Sequence, residues 1–170
     1  MSPDPAPLIV SALLGAEDFA WLDGLRRAHF PPERNVLAAH LTLFHHLPPS
    51  VEPELRQRLA AATRARAAPA ASAGAVIGLG RGVAFRIDSP DLAAIRRELA
   101  DAFAGLLTPQ DAGGWRAHVT VQNKVSPEVA RALREELAAG FRPRPVAVAG
   151  LAVWRYRGGP WESVSRHLFG

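Results

Sequence analysis

Two tetrapeptides of the pattern histidine–apolar–threonine–apolar constrain this chain more than any other feature: His40-Leu41-Thr42-Leu43 and His118-Val119-Thr120-Val121. The chain has six histidines and four threonines, and half of the threonines stand two places after a histidine. Alternating polar and apolar residues mark a strand, because successive side chains leave opposite faces. Each histidine and its threonine therefore point one way, while Leu41, Leu43, Val119 and Val121 point the other way and are free to be buried. An imidazole exchanges protons near neutrality, and a threonine hydroxyl donates to an anion. Two such pairs facing each other predict a symmetric acid–base site around a bound oxyanion.

The rest of the composition narrows the class. A chain of 170 residues is long enough for a real core, and an apolar share of 48% with 21% charged residues is ordinary for a soluble globular protein. The absence of cysteine removes disulfide frameworks and thiolate zinc sites. No segment has the length of a membrane-spanning helix, so no membrane association is expected. The start, Met1-Ser2-Pro3-Asp4-Pro5, lacks the basic-then-apolar run of a signal peptide and reads as a loose leader of a cytoplasmic protein. The net charge of +4 rests on nineteen arginines and one lysine without a dense basic run. It is compatible with an RNA partner, but composition bias alone accounts for it.

Periodicity and punctuation give an element order. Leu8 to Leu14 reads as a buried strand, and Ala16 to His29 as a helix with Phe19, Leu22 and Leu25 on its inner face. Val36 to Phe44 is the first motif strand, and Glu52 to Arg66 a helix presenting Leu55 and Leu59. Gly74–Gly80 and Gly82–Ile87 form a hairpin candidate about Gly80-Arg81-Gly82. Ser89 caps a helix that opens at Pro90 and buries Leu92, Ile95, Leu99 and Phe103. Trp115 to Val125 is the second motif strand, and Ser126-Pro127 opens a helix ending near Gly140. Strands at about Arg144–Arg157 and Trp161–Phe169 close the chain. Strand, helix, motif strand, helix, strand pair thus occurs twice, with the second round lacking its first strand. The order predicts an α+β fold of duplicated, mainly antiparallel sheets with flanking helices. One concave sheet would come from each half of a single bilobal domain over residues 1–170, with pseudo-twofold symmetry and a central cleft.

At the two motifs and their surroundings, Ala39 to Phe44 with Leu47-Pro48 and Trp115 to Val121 with Asn123-Lys124, the chain resembles the two-histidine (2H) phosphoesterase superfamily in its 2′-5′ RNA ligase (LigT-like) branch. The resemblance covers about Leu8 to Phe169. It implies a cleft enzyme with metal-independent phosphodiester chemistry and no cofactor. His40 and His118 would be its acid–base pair, with Thr42 and Thr120 holding the phosphate oxygens. The substrate would be an RNA end or small nucleotide carrying a 2′,3′-cyclic phosphate or a 2′-5′ linkage, with weak reverse RNA ligation in some members. A non-catalytic RNA- or nucleotide-binding module that keeps the cleft is the alternative.

Other residues carry weaker signals. Continuing the period of two places Phe44 and His46 on the face of His40, and Gln122 and Lys124 on the face of His118, unless a turn breaks the register after Phe44. His46 and Lys124 are thus candidates for the cleft rim, and His45 is expected to face away. Trp154 and Tyr156 share a strand face that can stack on a base, which adds Tyr156 to the rim candidates; ordinary sheet packing is the competing reading. Trp115 and Trp161 read as packing residues. Histidines 40, 45 and 46 lack an accompanying acid or thiolate in sequence, so no metal site is expected. Nothing resembles an obligate dimer seam, and a monomer is expected.

Overall fold

A computed structural model describes residues 5–170; of the leader expected at Met1–Pro5, Met1–Asp4 lie outside the described residues. Two four-stranded antiparallel sheets carry the chain. The first has the order β2 (Leu41–Leu47), β1 (Leu8–Leu14), β7 (Val148–Arg155), β8 (Glu162–Leu168). The second has the order β5 (His118–Gln122), β4 (Val83–Asp88), β3 (Ser72–Gly78), β6 (Arg144–Pro145). The flanking helices are α1 (Ala16–His29), α2 (Glu52–Arg64), α3 (Pro90–Ala102), the single turn α4 (Pro109–Ala112) and α5 (Pro127–Ala138).

The α+β class and antiparallel pairing match the sequence reading, but the halves are not segregated by sheet. The chain's two ends build the first sheet and its middle builds the second, because β7 pairs along the whole of β1 from Leu8–Arg155 to Leu14–Val148. Each sheet thereby receives one motif strand, and each motif strand lies at a sheet edge. An edge strand leaves backbone groups unpaired on its outer side. Those groups are available to the opposite half of the molecule.

Local chemistry explains most element limits. Ser89 Oγ accepts the Leu92 N–H at 3.1 Å and Ser126 Oγ accepts the Val129 N–H at 3.2 Å, each just before a proline at the first helical position. The inner face of α3 is Leu92, Ile95 and Leu99, followed by Phe103, all buried. Between β3 and β4 the Leu79 N–H bonds to Gly82 O, and Gly80 sits at φ +82, a conformation open to glycine at no steric cost.

The core joins Leu8, Val10 and Leu41 of the first sheet to Val83, Phe85 and Val119 of the second through Leu22, Leu55, Leu59 and the α3 residues. Helix α1 departs from expectation. Its buried residues are Asp18, Leu22 and Arg26, one every four positions, whereas Phe19 is exposed. Burying two charged groups is tolerated because both are satisfied by neighbouring groups. Asp18 accepts the Ala147 N–H at 2.7 Å, and Arg26 donates to Thr120 O at 3.1 Å and to Asn35 Oδ1 at 2.8 Å.

Candidate active site

The first motif strand starts later than predicted. Residues Pro32–Arg34 form a 3-10 turn, the Ala39 N–H donates to Asp23 Oδ1 at 2.9 Å, and β2 begins at Leu41. His40 is thus the last loop residue before its strand, and His118 the first residue of β5. Both rings are fixed in the same way. His40 Nδ1 lies 2.8 Å from Ala38 O, and His118 Nδ1 lies 2.7 Å from Arg116 O, in each case the carbonyl two residues upstream. A carbonyl can only accept, so each Nδ1 carries the proton and each Nε2 is left for a ligand.

His40, Thr42, His118 and Thr120 line one cleft of about 360 Å³, together with His45, Arg96, Asp111, Trp115, Arg116 and Trp161. The Thr42 and Thr120 hydroxyls take no hydrogen bond from the described residues. Leu41, Leu43, Val119 and Val121 are fully buried behind them. Trp161 tilts over the His40 ring at 4.6 Å between centroids and separates the cleft from a more apolar groove of about 570 Å³ walled by Phe19, Leu37, Trp154 and Leu168. Burial pushes the His40 imidazole down to about 4, opposed by the bond to Ala38 and reinforced by the Arg26 guanidinium and the nearby His118 and His45. That ring is neutral at pH 7.

The rim residues fall differently from the period-of-two reading. The pairing of β1 with β2 runs Val10–Phe44 and then Ser11–Thr42, so Leu43 is an extra residue. The pairing of β4 with β5 runs Val83–Gln122 and then Ala84–Thr120, so Val121 is extra. Each motif strand therefore bulges at the fourth motif residue, which changes the face of the side chains that follow, until a second shift in β2 between Val10–Phe44 and Leu8–Leu47 leaves His46 exposed and Leu47 buried. Phe44 and Gln122 turn inward and are buried. His45 turns onto the cleft wall, while His46 is exposed and does not line the cleft. Lys124, at φ 64 beyond the end of β5, is exposed outside the cleft. Tyr156, one residue past β7, is also exposed and away from it.

Several residues that build the site were not read as functional from the sequence, and Trp115 and Trp161, read as packing residues, line the cleft. Arg26, which holds the Thr120 carbonyl from α1 without lining the cleft, carries no signal in the sequence. Arg96, buried on α3, donates from Nε to Leu43 O at 3.1 Å and from Nη2 to Asp111 O at 2.6 Å, with its guanidinium 4.2 Å from the Phe44 ring centroid. Trp115 Nε1 donates to Thr42 O at 3.0 Å. Asp111 lies in a linker without periodicity and gave no signal.

Most of the chain matches one family model. Residues 15–160 match the model of the 2′-5′ RNA ligase superfamily, and the chain belongs to that family of 2H phosphoesterases. Among solved structures, TT0787 of Thermus thermophilus superposes with a TM-score of 0.65 at 16% identity, covering 96% of this chain and 97% of that one. E. coli LigT complexed with 3′-AMP gives 0.54 at 21% identity over 98% and 99%. A further structure described as a phosphoesterase gives 0.57 at 20% identity over 97% and 99%. These likenesses establish the fold. No curated protein sequence matches the chain. Among the described residues no helix is long and apolar enough to cross a membrane.

Proposed function

We propose that this phosphoesterase acts without a metal on RNA ends or small nucleotides, opening a 2′,3′-cyclic phosphate or cleaving a 2′-5′ linkage. His40 and His118 are its acid–base pair, and Thr42 and Thr120 hold the non-bridging oxygens. The observation that carries this reading is the matched fixation of the two imidazoles. Each Nδ1 is tied to the carbonyl two residues upstream, and both rings border one cleft with two unengaged threonine hydroxyls. Hydrolysis needs one group to take a proton from water and another to protonate the departing alkoxide. His40, neutral in its buried setting, suits the first role, and His118 then supplies the second. Each contributes roughly 10²–10⁴-fold. The hydroxyl donors stabilise the charge that builds on the equatorial oxygens.

E. coli LigT has been crystallised with 3′-AMP, NADP+, ATP and phosphate, ligands of the class proposed here. Reverse joining of RNA ends follows from the same groups acting in the opposite direction. The test is turnover of 2′,3′-cyclic nucleotides and short 2′-5′ oligonucleotides with chelator present. Turnover that survives chelation and disappears in His40→Ala and His118→Ala supports the enzyme; tight binding without turnover favours the binding-module alternative.

A further inference from the structure

Among the cleft side chains that the reaction just described does not use are His45, Asp111 and Arg116. Asp111 is 1% exposed, and its carboxylate is fully engaged. It accepts the backbone N–H of His45 at 2.9 and 3.0 Å and that of His46 at 2.9 Å, and lies 3.1 Å from His45 Nδ1. The backbone bonds secure the strand just after its bulge, which serves the fold. The bond to the ring does something else, since the His45 side chain is 42% exposed and is not needed in the core. With Nδ1 directed at Asp111, Nε2 is the ring's remaining polar atom, and no described residue meets it. A half-exposed imidazole held by a buried carboxylate is a preorganised contact for something that enters the cleft.

The surroundings specify what enters. Arg116 and Gln110 line the same cleft as the His45 ring. Asp111 is the sole carboxylate among the lining residues, and its oxygens are occupied by the donors above. Arg96 directs its donors to the Leu43 and Asp111 carbonyls. The wall thus offers donors and an arginine, with no carboxylate free to repel an anion, and Asp111 fixes the ring so that His45 Nε2 is presented to whatever enters. By contrast, the groove beyond Trp161 on the other flank of His40 is largely apolar.

We propose that His45, oriented by Asp111 and assisted by Arg116, binds a second phosphate of the substrate, so that the cleft favours a nucleotide carrying a phosphate in addition to the one between His40 and His118. This rests on the placement of the first phosphate under Proposed function. The bulge at Leu43 is what makes the contact available, since an unbroken strand would have turned His45 away.

The experiment is calorimetric titration of the full chain with 3′-AMP and with adenosine 3′,5′-bisphosphate, for the unmodified protein, His45→Asn and His45→Gln. Asparagine keeps an amide N–H near the position of Nδ1 and so preserves the tie to Asp111, guarding against a variant that misfolds. The unmodified protein is expected to bind the bisphosphate about tenfold more tightly. Both variants should bind 3′-AMP within about twofold of normal and lose most of that preference. Equal affinity for the two ligands in the unmodified protein, a preference that survives in both variants, or an equal loss on both ligands would overturn the proposal. Turnover of 2′,3′-cyclic AMP, measured alongside, tests the catalytic reading separately. Hydrolysis without a bisphosphate preference sinks this inference alone, and a preference without hydrolysis supports it while sinking the catalytic assignment.

Discussion

The indole Nε1 of Trp115 donates to the carbonyl oxygen of Thr42 at 3.0 Å, joining the segment before one motif to the middle of the other. Arg26 makes the reciprocal link, donating to the Thr120 carbonyl at 3.1 Å from a helix that follows the first strand. Both motif strands lie at sheet edges, so these carbonyls have no strand partner on that side. A buried carbonyl without a donor costs roughly 1–3 kcal/mol, and the two side chains remove that cost while setting how the edges face each other. Trp115→Phe keeps an aromatic ring and deletes the donor. It should lower stability by about 1–2 kcal/mol and kcat/KM by about tenfold, because the Thr42 hydroxyl loses its fixed place. Denaturant unfolding and steady-state kinetics check the two numbers, and unchanged values for both would show that the link is incidental.

Removing either imidazole by His40→Ala or His118→Ala should lower kcat by about 10²–10⁴-fold with the fold retained. If the two serve as acid and base in one step, as proposed, the double variant should be little worse than the poorer single one. A double variant whose loss equals the product of the two single losses would mean that the histidines act independently. Single-turnover rates on a 2′,3′-cyclic nucleotide give the comparison directly.

The symmetry of the motifs was legible in the sequence because it depends only on local alternation, and so were the capped helices after Ser89 and Ser126. What could not be read depends on long-range pairing. The bulges at Leu43 and Val121 arise from register with β1 and β4, and they exchanged His46 for His45 on the cleft wall and buried Gln122. The exchange of strands between halves follows from β7 pairing with β1, two segments at opposite ends of the chain. Arg26, Arg96 and Asp111 were missed for one reason: a buried charged side chain is recognisable only once its backbone partner is known, and those partners are remote in sequence.

Thr42→Val and Thr120→Val replace a hydroxyl by a methyl group on strands that accept β-branched residues. Stability should change by less than about 1 kcal/mol, because neither hydroxyl bonds to a described residue. The rate should fall by about 10²-fold for each, the usual loss for a missing donor to transition-state oxygens. Loss in kcat rather than KM is the expected pattern, and a variant with an unimpaired rate removes that threonine from the phosphate-holding role.

His40 should make stability, and activity if it is the proposed base, depend on pH in a defined direction. Burial lowers its folded-state value from 6.5 to about 4, so between these limits the unfolded chain binds more protons than the folded one. Its contribution is fully present above the unfolded value and is lost as pH falls through that window to the folded value. The partly accessible ring reduces the full linkage to on the order of 1–2 kcal/mol between pH 7 and pH 5. Burial also lowers His167, helped by Arg56, and Asp111 is held below the ordinary carboxylate value, so other groups change stability in the same sense on acidification. The difference between the unmodified protein and His40→Asn isolates the one ring: unfolding free energies at pH 7 and pH 5 should fall further in the former. The acidic limb of kcat/KM, which reports the free enzyme, should have its midpoint near 4 if neutral His40 takes the proton from water. A midpoint near the ordinary histidine value, with no stability difference between the two proteins, would mean that the ring is solvated rather than enclosed beneath Trp161.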